Sequence, residues 1–174
     1  METKMKTLED LFAGTSRLVP PGRTHDEYLT DVIGPAYAEY RRVWAKAGTK
    51  DWTVPAFPLQ MDFQLNNRCN FRCSMCYWGD PETLEDWSQP ESEFPFDKFQ
   101  QIVVDGVKRG LKVINFEGLN EPLMKKDLPD YIAFAKKAGV VDLTLHSNGL
   151  LLSREWSERL IDSGLVSAKG TAAL

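Results

Sequence analysis

From residue 58 onward the chain runs through one order three times: a short strand-like segment, a turn, then a stretch with helical spacing. Few folds satisfy that order. In "LQMDFQL", Leu59, Met61, Phe63 and Leu65 alternate with Gln60, Asp62 and Gln64, the period of two that predicts a strand. "KVINF" and "VVDLTLH" predict a second and a third strand. Between the first two lies a predicted helix with Phe99, Ile102, Val103, Gly106 and Val107 on one face, capped by Asp97 and closed at Gly110. Asp127 to Lys137 predicts another, with Leu128, Tyr131, Ile132 and Ala135 as its stripe and Gly139 as its stop. Ser153 with Glu155 opens a last helix to about Asp162, ended by Gly164. Helix-length crossovers between strands specify a parallel sheet built of βαβ units, an α/β fold. In such folds the loops at the carboxyl ends of the strands carry function. Here those loops are a cysteine segment, "EGLNEP" and "HSNG", so the unusual residues are expected along one edge of the sheet.

The N-terminal third reads differently. Leu8, Leu11 and Phe12 form a short amphipathic piece, and "VPPGR" is a turn or linker. Thr24 and Glu27 stand in capping-box spacing, which starts a helix, and Gly34-Pro35 breaks it. A second helical stretch runs from Ala36 to Lys46, and "TVPAFP" is extended. Residues 1–56 are therefore expected to form a helical arm in front of a core at 57–174. The net charge of −4 argues against a general nucleic-acid binder. No apolar run approaches the ~20 residues that span a bilayer, and the N-terminus lacks the contiguous apolar core of a secretion signal. A cytoplasmic, reducing location is expected, which leaves thiols free to bind metal.

All three cysteines of the chain fall in "RCNFRCSMC", as Cys69, Cys73 and Cys76. The spacing C-x3-C-x2-C lets a tight loop turn three thiolates toward one centre. Iron–sulfur cubanes are held by thiolates, usually four, one to each iron. With three, one iron keeps an open position suited to binding a ligand. Two other readings stay open at this point. One is a zinc-stabilised α/β interaction module, its fourth ligand His25, His146 or a carboxylate; the other is a set of inert thiols.

"CNFRCSMC" resembles the CxxxCxxC signature of the radical S-adenosylmethionine (radical SAM) enzymes. "INFEGLNEPLM" looks like their second-strand GGEP motif, with one glycine of the usual pair, and "LTLHSNGLLLS" like their third-strand TNG turn. The lead-in "PAFPLQMDFQLNNRCN" is similar to the branch containing the SPASM and Twitch enzymes and the molybdenum-cofactor cyclases. The resemblance covers about residues 57 to 165. It implies a partial (β/α) barrel, of which this chain supplies about three βα units. It implies a 4Fe–4S cluster on Cys69, Cys73 and Cys76, with S-adenosylmethionine on the fourth iron. Gly118, Leu119, Asn120 and Glu121 match the loop that meets the cofactor's amino group. Ser147 and Asn148 match the positions near its ribose or carboxylate, and Gly149 supplies a positive φ. Met75 stands where an aromatic residue often covers the adenine, and it packs on a ring as a soft apolar substitute. Tyr77 and Trp78 are pocket lining or simply loop aromatics. His146, at a strand end, meets the substrate or satisfies a local hydrogen bond.

The implied reaction is one-electron cleavage of the sulfonium to a 5′-deoxyadenosyl radical that takes hydrogen from a substrate the sequence does not specify. It requires a reductant such as flavodoxin or ferredoxin. A non-catalytic remnant of the same fold is the alternative within the family. The family's core has about six strand–helix units, and "AKGTAAL" is weakly patterned where a fourth strand belongs. The expectation is therefore a fragment, a frameshifted product or one part of a split enzyme completed by a separate chain. Such a chain leaves the third strand's edge unpaired, binds a cluster poorly and turns over little.

Overall fold

A computed structural model describes residues 20–170 apart from 21, 48, 51, 81 and 83–89. The amphipathic piece at Leu8, Leu11 and Phe12 lies outside the described residues, as do 81 and 83–89 of "GDPETLEDWSQPESEF", an acidic segment that reads as a loop. The chain divides into two compact units, residues 1–52 and 53–174.

In the first unit α1 (His25–Ile33) and α2 (Pro35–Trp44) follow one another directly. The α1 start is a complete capping box. Glu27 N donates to Thr24 Oγ1 at 3.2 Å while Thr24 N donates to Glu27 Oε2 at 2.8 Å, which satisfies two orphan donors of the first turn. Gly34-Pro35 separates the helices as expected, because Pro35 lacks the N–H that would continue α1 and is suited to the first turn of α2. Asp26 of α1 accepts from Arg41 Nε of α2 at 2.9 Å. Tyr37, Tyr40 and Trp44 pack edge to face along α2.

The second unit is a parallel sheet of four strands: β1 (Gln60–Phe63), β2 (Val113–Phe116), β3 (Asp142–Ser147) and β4 (Ser167–Gly170). Their spatial order is 1-2-3-4. Among the described residues each crossover carries one helix of nine residues or more: α3 (Phe96–Arg109), α4 (Leu128–Ala138) and α5 (Arg154–Asp162). A strand order that climbs without reversal, joined by right-handed crossovers, puts every helix on the same side. This is the winding of a (β/α) barrel and not of a doubly wound sheet. The core lies between sheet and helices. Phe63, Ile114, Phe116, Leu143 and Leu145 meet Phe99 and Val103 of α3, Leu128, Tyr131, Ile132 and Ala135 of α4, and Leu160 of α5. Phe99 is its hub, with ring centroids of Phe63 and Tyr131 at 4.8 and 4.9 Å.

The other face is polar, because side chains alternate along a strand. The register aligns Asp62, Asn115, Thr144 and Ser167 in one cross-strand row. Asn115 Nδ2 donates to Asp62 Oδ1 at 2.9 Å. Continued past the strand ends, the same alternation sets Gln64, Glu117, His146 and Lys169 in the row above.

Two expectations need correction. Residues 167–170 form a fourth strand, so the edge of β3 is paired and not open. Ser167, Ala168 and Gly170 carry little strand preference of their own; pairing to the exposed ladder of β3 overrides it. Asp97 does not cap α3. That helix starts at Phe96 behind Pro95, whose extended backbone ends the preceding segment, and Asp97 sits in the first turn. The helix expected from Asp127 onward is α4, which starts at Leu128 with Pro129 in its first turn. Ser153 does cap α5, accepting from Trp156 N at 3.1 Å. Among the described residues no helix is long and apolar enough to cross a membrane.

Candidate functional site

Beyond β1 the chain curls. Cys76 N donates to Cys73 O and Gly79 N to Cys76 O, both at 2.8 Å, so two successive turns close the cysteine segment on itself. Gly79 permits the closure: a Cβ there would stand 2.1 Å from the Cys73 carbonyl oxygen. Arg72 Nη1 donates to the carbonyls of Cys69 and Phe71 at 2.9 Å each, holding the start of the loop. Its guanidinium also lies over the Trp78 ring, 5.5 Å from the centroid. None of the three thiols is in a disulfide. Burial, with the Glu121 carboxylate adding to it, pushes the Cys69 thiol above its ordinary value; a bound cation would reverse that balance.

The loop after β2 is fixed to β1 and to the cysteine segment. Gly118 has φ +146°, a conformation open to glycine, and a Cβ there would meet the Gln64 side chain at 2.7 Å. Gln64 Oε1 accepts from Leu119 N at 3.1 Å, and Trp78 Nε1 donates to Leu119 O at 2.8 Å. Glu121 N donates to Arg68 O at 2.7 Å.

Glu121 ties this loop to the next. It is 1% exposed. Its Oε1 accepts from Leu123 N at 3.0 Å and Ser147 Oγ at 2.8 Å, and its Oε2 from Asn148 N at 2.8 Å. Asn148 Nδ2 continues the chain of bonds to Asn70 Oδ1 at 2.8 Å, so strands β1, β2 and β3 are joined above their carboxyl ends. Gly149 takes φ +76°, the positive value expected of it. Behind the site, Lys125 is 2% exposed and pairs with Glu93 at 2.8 Å and Asp127 at 2.9 Å. Burial works against its charge, but the two carboxylates outweigh it and hold the ammonium above the usual lysine value.

These loops enclose a cleft of about 590 Å³. Cys69, Cys73, Cys76, Met75 and Trp78 line it from the cysteine segment, Glu117, Gly118, Asn120 and Glu121 from the β2 loop, and His146, Ser147 and Asn148 from β3. Leu119 does not line it; its backbone is bonded on both sides and its side chain is 41% exposed. Met75 lines the cleft while 76% exposed. Among the described residues no three His, Cys, Asp or Glu side chains stand together as ligands for a single metal ion. A cubane takes each thiolate on a different iron and does not ask for that convergence.

The polar groups of the cleft divide in two. Glu121, Ser147 and Asn148 are bonded to one another, to Leu123 N and Leu150 N and to Asn70. Asn120 Oδ1 and Nδ2 and His146 Nε2 are buried and, among the described residues, without a hydrogen-bond partner. Trp78, left open as pocket lining or loop aromatic, lines the cleft; sequence reading missed Glu117, Gly79, Gln64 and Asn70. Of these only Glu117 had a signal: it follows the second strand where His146 ends the third, so neighbouring parallel strands place them side by side.

Known proteins are similar to this chain in sequence and in fold. The model of the family described as the radical SAM superfamily matches residues 63–170. A tungsten-containing aldehyde ferredoxin oxidoreductase cofactor-modifying protein of Pyrococcus furiosus is 32% identical over 103 residues, 59% of this chain and 27% of that protein. A GTP 3′,8-cyclase of Campylobacter curvus is 33% identical over 102 residues, 58% of this chain and 30% of its own length. The chain thus spans less than a third of these two relatives. Among solved structures, BtrN in complex with AdoMet and 2-DOIA superimposes with a TM-score of 0.53 at 17% identity, over 66% of this chain and 46% of that one.

Proposed function

Because the chain belongs to the radical SAM superfamily, we propose that its cleft holds a 4Fe–4S cluster on Cys69, Cys73 and Cys76 with S-adenosylmethionine beside it. The observation that carries this reading is one cleft lined by all three thiols and by the loops after β2 and β3. The donor set suits the group: thiolates are the soft ligands that iron–sulfur clusters take, and a loop with three leaves one iron for a further ligand. When bound, the cluster supplies the electron, drawn from a donor such as flavodoxin or ferredoxin, that splits the sulfonium and yields a 5′-deoxyadenosyl radical for hydrogen abstraction.

The chain's own residues bind and position. Asn120 offers an acceptor and a donor to the cofactor's polar groups, both desolvated and, among the described residues, without a partner. Glu121, Ser147 and Asn148 act as the brace that keeps the two loops at a fixed separation, with Glu121 adding negative potential that favours the cofactor's ammonium. Met75 and Trp78 supply apolar surface that excludes water from one wall.

Anaerobic reconstitution with ferrous iron and sulfide tests the reading. A brown protein with about four irons per chain, lost on any single Cys→Ser change at 69, 73 or 76, is the expected result. A colourless protein carrying one zinc, or an iron content indifferent to those changes, overturns it. Release of 5′-deoxyadenosine with dithionite then separates an active chain from a family member that binds without turnover.

A further inference from the structure

Glu117 and His146 occupy adjacent positions of the upper polar row and both line the cleft. Glu117 Oε2 pairs with His146 Nδ1. In its uncharged form the ring carries its proton on the Nδ1 that faces this carboxylate, which leaves the lone pair on Nε2. That Nε2 is buried and has no partner among the described residues. A desolvated acceptor without a donor is costly unless a ligand completes it. The cleft has the volume of one small-molecule site, and the thiols share it, so whatever completes Nε2 lies next to the cluster position.

We propose that His146 Nε2 accepts a hydrogen bond from an O–H or N–H of S-adenosylmethionine, with Glu117 as the positioning residue that sets the imidazole tautomer. This rests on the function proposed above. Nothing is transferred; the pair reads the presence of a donor. The cofactor carries two kinds, the ribose hydroxyls and the amino group, and adenosine and methionine present them separately.

The sequence has two histidines, so ¹⁵N-histidine NMR of the full chain resolves both, with His25→Gln assigning them. In the cluster-free chain, His146 is expected as the Nδ1–H tautomer and Glu117→Gln as a mixture. In the reconstituted chain, S-adenosylmethionine is expected to move the Nε2 resonance toward the hydrogen-bonded range. Adenosine reproduces the shift if a hydroxyl is the donor, methionine if the amino group is. His146→Phe keeps a ring and removes the acceptor, and should weaken S-adenosylmethionine binding about 3- to 10-fold at unchanged iron content. Should that variant fail to fold, the parent chain's Nε2 shift decides alone. Parent chain that binds S-adenosylmethionine without moving Nε2, or a folded His146→Phe with parental affinity, overturns the assignment and leaves the proposed function standing. Parent chain that takes up iron poorly and binds no S-adenosylmethionine removes both, a result read from the parent alone.

Discussion

Glu121 offers a sharp test of how the site is built, because a cofactor ligand and a brace predict opposite behaviour in the empty protein. Its carboxylate accepts from two backbone N–H groups, Leu123 and Asn148, and from the Ser147 hydroxyl, while 1% exposed. Glu121→Ala orphans both N–H groups, at about 1–3 kcal/mol each. The hydroxyl can rotate toward another acceptor and adds less, so a total of about 3–5 kcal/mol is expected, including the small cavity left behind. Glu121→Gln fills the space, but donors approach both oxygens, so its NH₂ must face a donor in either orientation. About 1–3 kcal/mol is expected there. For a chain of this size 1 kcal/mol moves Tm by about 2–4 °C. Thermal unfolding of the cluster-free chain, followed by circular dichroism under reductant, should therefore show roughly 6–20 °C lost for Ala and 2–12 °C for Gln. If both variants melt within about 1 °C of the parent, a precision well inside those shifts, the carboxylate braces nothing and serves only a ligand.

Gly79→Ala forces a methyl within 2.1 Å of the Cys73 carbonyl oxygen, a backbone atom that cannot step aside without opening the turn. Iron taken up on reconstitution should fall well below that of the parent, and full uptake would show that the closure is dispensable. Lys125→Met removes an ammonium shared by Glu93 and Asp127. Both carboxylates are about half exposed and regain water, so about 1–2 kcal/mol is expected, below the 3–5 of a fully buried pair. Since the folded Lys125 value is raised, its contribution is complete below the unfolded lysine value of about 10.4 and fades as pH climbs through the folded one. The gap between parent and Lys125→Met in urea midpoint should close above that range; a gap that persists unchanged refutes the pairing.

The sheet was legible because its signals are local. The alternation around Phe63, the stripe of α4 and the stops at Gly110 and Gly139 each decide a few residues without help from elsewhere. β4 was not legible, since Ser167 to Gly170 become a strand only against the ladder of β3. The cap assignment failed at Asp97 for a related reason: Pro95 sets the backbone there, and the carboxylate stays in the first turn. The three cysteines and the two motif loops could be gathered into one region from spacing and order. What each side chain does there could not. Glu121, Ser147 and Asn148 turned inward on one another because loops from two strands meet above the sheet. The Glu117–His146 pair needed a register across strands that no single segment contains.

The row of Asp62, Asn115, Thr144 and Ser167 has a consequence for the space it faces. Closed (β/α) barrels commonly fill their lumen with stacked branched hydrocarbon. This sheet instead turns amides, hydroxyls and a carboxylate toward that volume, so its inner wall is at ease wet. A guest entering from the thiol end would slide over a hydrophilic floor, trading water for hydrogen bonds one strand at a time.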